Sequence, residues 1–394
     1  MEMLYRGFDG LDVSFSWQIG PDFCGALEDA KQNAQDKRRP WPLVWNGIPL
    51  LVLESGARGG YAFMASTGPY GATWFFKKPN SRDPWGVRVS CNSFGLATKG
   101  LGGARAELYE TLEHLCTPVA LGEESIGRVD YAIDLYAPQF VLEPQCFVMH
   151  SNARRSDHYE PPEMTANGTS GRVTSVTVGK MPGRQVIVYD KRSEVIDKRK
   201  VGWWVIWDAA RANQGLPPLN RELAAQSLVW RVELRAGKHH LKASGIRTWA
   251  QLDAYFGDMI AATLKATRHT QPSIDSNRSR WPNSVLWERV EAEASADLFE
   301  MRNWADPDLV KRVQREAYDQ MLACQMTGLL TTRAALSDKE FGELPSFATY
   351  IGQQMADQIA RAGPQFERKL RLAKSRFLFV SGNKSCEPAE RRST

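Results

Sequence analysis

Three short segments of this chain put acids, bases and a tyrosine at every second position. Side chains alternate across a β-strand, so residues two apart project from the same face. In the segment 128–134 one face carries Arg128, Asp130 and Asp134, with Val129, Tyr131 and Ile133 opposite. In the segment 185–191 Gln185, Ile187, Tyr189 and Lys191 share a face, with Val186, Val188 and Asp190 opposite. In the segment 229–235 Arg231, Glu233 and Arg235 point one way, and Trp230, Val232 and Leu234 the other. Asp130, Asp134 and Glu233 are hard oxygen ligands, suited to Mg²⁺ or Mn²⁺. A divalent ion held there would polarise a phosphodiester. Tyr189 is a nucleophile candidate, because a phosphotyrosine conserves the bond for later rejoining. Lys191, Arg128, Arg231 and Arg235 are candidates for contacting phosphate oxygens or for lowering the cost of a phenolate. The plainer alternative is a sheet whose solvent face carries compensating charges and no chemistry.

These residues need a sheet with one apolar face under helices, which would leave the charged faces together on the open side. Strands are predicted at 11–17, 50–53, 74–76, 86–90, 129–136, 172–178, 185–189 and 229–235. A helix is predicted over 103–115, where Leu108, Leu112 and Leu115 recur at helical spacing. The stretch 151–171, with Pro161, Pro162 and Gly168, is expected to be a loop. From about Ile246 the pattern turns helical, with helices predicted at 248–267, 284–298, 307–327 and 347–377, the last interrupted at Gly363 and Pro364. The expected fold class is therefore α+β: a sheet domain over 1–245, a mainly helical region over 246–380 that binds DNA or a partner, and a disordered tail over 381–394.

The 394 residues carry a net charge of +5, a mild basic bias that suits a nucleic-acid partner. Thirteen tryptophans serve as core or as platforms for unpaired bases. The six cysteines contain no C-x-x-C pair, so neither a zinc site nor a disulfide framework is expected. The start of the chain lacks the pattern of a signal peptide, and no run is apolar enough to span a bilayer, so a cytoplasmic protein without membrane insertion is expected. The glycines at 100, 102 and 103 lack the G-K-[ST] of a phosphate-binding loop and imply no ATPase. Basic clusters at 37–39, 191–200 and 361–376 are either phosphate-contacting surfaces or solvated faces.

The three charged segments, in this order, resemble the replication initiation factor family, which includes rolling-circle initiators of small plasmids and related relaxases of conjugative elements. The motifs are R-x-D-x-x-x-D at 128–134, Y-[DE]-K at 189–191 and R-x-E-[LI]-R at 231–235. The hairpin leading through 175–184 and the opening strand at 8–15 also fit, so the resemblance covers roughly residues 5–245. It implies Tyr189 as the nicking residue, Asp130, Asp134 and Glu233 as metal-binding acids, and Lys191 as an assisting cation; Tyr131, Tyr136 and Tyr159 are other tyrosines nearby. The chain departs from the better-known rolling-circle class in lacking a His-hydrophobe-His motif, since His239 and His240 are adjacent. The expected function is nicking and rejoining of a DNA strand at an origin through a 5′-phosphotyrosine. Expected partners are a partly single-stranded origin or transfer-origin hairpin, a host helicase and a second copy in a homodimer, in a bacterial cytoplasm. The alternatives are a conjugative relaxase with the same chemistry and a non-catalytic DNA-binding protein.

Overall fold

The computed structural model describes residues 1–119, 124–149, 164–300, 305–376 and 379. Tyr159, most of the expected loop over 151–171 and the expected tail over 381–394 lie outside them. The chain forms two compact units, Met1–Pro307 and Asp308–Thr394.

The first unit is built on an antiparallel sheet of eleven strands. Its two longest strands, Glu2–Phe15 and Glu124–Tyr136, pair in the middle. Outward from the first lie Val87–Cys91, Ala72–Phe76, Phe63–Ser66, Ile48–Val52 and Trp41–Trp45. Outward from the second lie Val229–Gly237, Arg184–Asp190, Arg172–Gly179 and Met164–Thr169. Each half therefore runs one long strand, then a meander returning from the edge, then a last strand beside the first. The strand at Met164–Thr169 falls where the sequence suggests loop; it is exposed throughout and after Met164 its residues are small or polar, so no alternating apolar signal marks it.

Alternation buries one face of this sheet in the main core. Val129, Tyr131, Ile133 and Leu135 meet Trp230, Val232 and Leu234 there. The helix Trp249–Ala266 covers them, with Phe256 stacked 5.0 Å from Phe8 and 5.6 Å from Tyr131. Thr248 starts this helix through a capping box with Gln251. The helix Ser93–Leu115 continues the cover, Tyr109 packing edge-on against Phe15 at 5.6 Å. It begins ten residues before the expected start at 103 and is kinked at Gly100, whose φ of 68° suits glycine.

The expected boundary near Gly245 is not where the fold divides. Residues from Trp249–Ala266 and from the helix Val285–Ala294 join the same core as the strands, and the break comes at Pro307. The composition turns helical at 246 because these helices complete the lid on the sheet, not because a new unit starts. The second unit is helical, with helices Pro307–Leu336, Leu344–Arg361 and Gly363–Arg376 and a small core of Ala334, Phe347 and Ile351. The fold class is α+β. Among the described residues no helix is long and apolar enough to cross a membrane.

Candidate active site

Strand register assembles the three charged segments into a grid. Tyr189 lies opposite Arg231, which lies opposite Asp134; Ile187, Glu233 and Ala132 form the next row, and Gln185, Arg235 and Asp130 the third. Strand Glu2–Phe15 extends the rows with Tyr5, Gly7 and Gly10. At Gly10 a Cβ would come within 2.6 Å of Asp130 Oδ2, so only glycine lets the two strands keep this carboxylate between them. The expected open charged face is not open. Helix Gly202–Asn213 lies over the first row: Trp203 packs 5.0 Å from Tyr5 and 4.2 Å from the Arg231 guanidinium, and Trp207 Nε1 donates to Asp134 Oδ2 at 2.9 Å.

The first row is a closed ion-pair cluster. Arg231 donates to both Asp134 oxygens, at 2.5 and 2.8 Å, and through Nη1 to Asp9 at 2.6 Å. Asp134 and Arg231 are fully buried. Asp9 arrives through a β-bulge between Phe8 and Gly10, which turns an extra residue toward the arginine. Two expectations change here. Asp134 accepts three hydrogen bonds and is charge-balanced by Arg231, so it is spent as a cation ligand. Arg231 is enclosed by two carboxylates, the Trp203 indole and the Tyr5 ring and does not reach a surface phosphate.

The nucleophile candidate occupies the middle of the grid. The half-buried Tyr189 donates its hydroxyl proton to Glu233 Oε2 at 3.2 Å, and Lys191 Nζ stands 3.5 Å from the Tyr189 hydroxyl oxygen. Lys191 opens the helix Lys191–Asp197, whose N-cap Asp190 accepts from Ser193 N. That chain reversal turns the lysine back over the site, 2.5 Å from Glu194 Oε2 and 4.9 Å above the Trp203 ring. Tyr131 is buried in the apolar core with its hydroxyl on the Leu298 carbonyl, and Tyr136 lies under Arg211 at the strand end.

The third row is partly exposed through Arg235, with Asp130 buried beneath. Arg128 grips Asp130 through Nε and Nη2 at 2.8 and 2.6 Å, and Arg235 Nε donates to Glu233 Oε1 at 2.6 Å while standing 3.9 Å from Asp130. Arg128 and Arg235 are about a third exposed and can reach a phosphate.

Burial sets the charge states. It holds the Tyr189 phenol well above its ordinary pKa, with Glu233 and Asp9 adding to the rise and Arg231 opposing it. It lowers Lys191, and Arg231 lowers it further, against Asp9 and Glu194. Burial alone would raise Glu194, but Lys191 and Lys200 hold its carboxyl well below the usual range. Burial pushes Asp130 up to about 6 despite Arg128. The resting Tyr189 phenol is therefore neutral, with Glu233 as its hydrogen-bond acceptor and Lys191 paired with Glu194 beside it.

The three acids do not converge on one point. Among the described residues no group of three or more His, Cys, Asp or Glu side chains is arranged to hold a metal ion. Asp130 and Glu233 both face Arg235, at 3.9 and 2.6 Å, while Asp134 is paired with Arg231. Sequence reasoning missed Asp9, Glu194 and the Trp203/Trp207 pair. The i, i+4 spacing of those tryptophans within 202–213 was the available signal for a buried helix.

No protein-family model matches the chain, and no curated protein matches it. A solved structure of a rolling circle replication initiator protein from Geobacillus stearothermophilus is similar over 74% of this chain and 96% of its own, at 14% identity and a TM-score of 0.37.

Proposed function

We propose that this chain is a tyrosine-dependent DNA nicking–joining enzyme that initiates rolling-circle replication of a mobile element. The observation that carries the reading is the Tyr189 hydroxyl, set between the Glu233 carboxylate at 3.2 Å and the Lys191 ammonium at 3.5 Å. A phenol this hard to ionise needs a base at hand, and Glu233 accepts its proton as the oxygen attacks phosphorus. Lys191, paired with Glu194 at 2.5 Å, stabilises the negative oxygen as it forms. The O3′–P bond breaks, leaving the 5′ phosphate on Tyr189 and a free 3′-OH for a polymerase. Attack by that hydroxyl reverses the step without ATP. Arg128 and Arg235 hold flanking phosphates, with bidentate guanidinium contacts available once their carboxylates yield. Asp130 and Glu233 are the residues that would hold a Mg²⁺ or Mn²⁺ ion, which would supply charge neutralisation at the phosphate.

The substrate in this reading is an origin hairpin with unpaired bases, and the same chemistry would serve conjugative transfer. The test is a trapping assay on supercoiled DNA carrying the element's own origin, with denaturing gels and peptide mass spectrometry. An adduct on Tyr189 is the expected result. DNA binding or cleavage with no protein adduct would replace this reading with a binding protein or a hydrolytic nuclease.

A further inference from the structure

The longest described helix, Pro307–Leu336, has 30 residues and rises about 45 Å. Of its residues Val310, Gln314 and Ala334 are buried. Leu330 and Ala334 face the small core with Phe347 and Ile351. A different face carries Leu322, Leu329 and Leu336, which are 40%, 72% and 86% exposed. They recur every seventh residue, a spacing that keeps one stripe on a helix with a drift of only about 20° per step. Helices in proteins gain most of their stability by packing an apolar face, and this stripe is turned to solvent.

Two further features of this helix do nothing for a single chain. Gly328 stands in its interior, where glycine weakens a helix relative to alanine. A Cβ at that position would meet nothing within 4 Å, so no neighbour in the chain requires the glycine. Asp319 and Arg333 are both exposed, and each lies three residues before a leucine of the stripe. They are therefore opposite charges at the same position of the seven-residue repeat. Arg333 donates to the neutral Gln354 Oε1 at 2.9 Å, and among the described residues no carboxylate pairs with it.

These features select the occupant of the stripe. The helix carries four basic and three acidic side chains, too balanced a set to be built for phosphate or an anionic membrane. A seven-residue leucine repeat fits a helix of the same repeat. Opposite charges at one position of that repeat fit a copy of this helix running the other way. We propose that Pro307–Leu336 is a dimerisation surface on which a second copy of the chain packs antiparallel. Leu329 then packs against Gln325 of the second copy, and Leu322 against its Thr332. Asp319 faces Arg333 of the second copy, twice by symmetry. Met326 and Gly328 lie at the two-fold axis, where the glycines let the two backbones approach. A parallel pairing would leave both charges unmatched. Gln325 and Thr332 are polar residues in the seam that fix its register and weaken it, so the dimer exchanges with a Kd on the order of micromolar. None of this rests on the nicking reading.

The full chain is sedimented without DNA over a concentration range of about 0.1 to 100 μM, and a monomer–dimer equilibrium is expected. Leu329→Lys, at an exposed position away from the small core, is expected to leave monomer throughout; Leu322→Lys serves if that variant does not fold. Asp319→Arg and Arg333→Asp are each expected to weaken the dimer about tenfold, and the two together to restore it. Gly328→Ala is expected to raise the melting temperature of the monomer yet weaken the dimer. Oxidative cross-linking in a Cys324→Ser background reads the direction: Met326→Cys is expected to link to its own copy and Leu336→Cys is not. Monomer at every concentration, a dimer untouched by the leucine variants, or self-linking of Leu336→Cys in place of Met326→Cys overturns the proposal. The Tyr189 adduct assay tests the nicking reading separately, so either can fail alone.

Discussion

The two halves of the sheet share one strand order yet differ in what they do with the same face. In the second half that face carries Asp134 bonded to Arg231, Tyr189 and Arg235 bonded to Glu233, and Asp130 bonded to Arg128 and 3.9 Å from Arg235. In the first half the equivalent positions are Thr73, Phe75, Arg88 and Ser90, with Ser90 opposite Asp12. Among the described residues no carboxylate pairs with Arg88, which lies 4.2 Å above the Phe75 ring. The same scaffold thus supports an arginine on an aromatic face in one half and an acid–base network in the other. The lesson is that the topology supplies a platform of paired strands, and the residue inventory of one face decides whether that platform can do chemistry.

The comparison breaks most sharply at Tyr189. Tyr189→Phe is expected to remove the protein–DNA adduct and slow strand cleavage by at least about 10⁴-fold, as loss of a covalent nucleophile does. Arg88→Met in the other half should leave both unchanged on the same gels. A surviving adduct in Tyr189→Phe would move the nucleophile elsewhere.

Glu233→Gln removes the proton acceptor and keeps the shape. Cleavage is expected to fall by roughly 10²–10⁴-fold, with the residual rate climbing with pH as phenolate forms without a base. A rate that stays flat with pH would assign Glu233 a positioning role instead.

The ion-pair clusters sharpen the comparison through stability. Asp134→Asn leaves Arg231 short of a buried partner, and urea unfolding should show a loss of about 3–5 kcal/mol. Arg88→Met gives up about 0.5–1 kcal/mol of cation–π contact. Equal losses would mean that the two faces are energetically alike.

The smallest effect is in the pH profile. Asp130 has a folded pKa of about 6, above its unfolded value. Its contribution therefore favours the folded state fully below the unfolded value near 4 and is lost as pH rises through about 6. Where phosphate or cation contact uses its charged form, cleavage should rise across the same range. Asp130→Asn is expected to flatten that step in a rate–pH series and to remove the matching slope in urea midpoints.

Much of this site was legible beforehand because period-two alternation puts whole charged sets on one face without any knowledge of the fold. Asp130, Tyr189, Glu233 and Arg235 came together as their spacing implied. What the spacing could not give was the pairing among them. Asp134 and Arg231 have the same outward signature as Asp130 and Arg235, yet one pair is sealed under Trp203 and Trp207 and in the other the arginine stays partly exposed above a buried carboxylate. Asp9 stayed hidden because a bulge breaks the alternation that would have placed it. The boundary near Gly245 misled for a related reason: a change from strand to helix pattern records local structure, whereas the compact unit is defined by which faces bury one another.

By itself, then, the sequence determined the strands, their two faces and the chemical inventory of one of them, because backbone geometry fixes where alternate side chains point. Only the tertiary structure decided which of those charges are neutralised and which are left to work. That decision depends on strand register, on a bulge and on a helix packed over the first row, and each of these brings together residues far apart in the chain. Desolvation then turns position into charge state: the same burial that closes the Asp134–Arg231 pair keeps the Tyr189 phenol protonated beside Glu233.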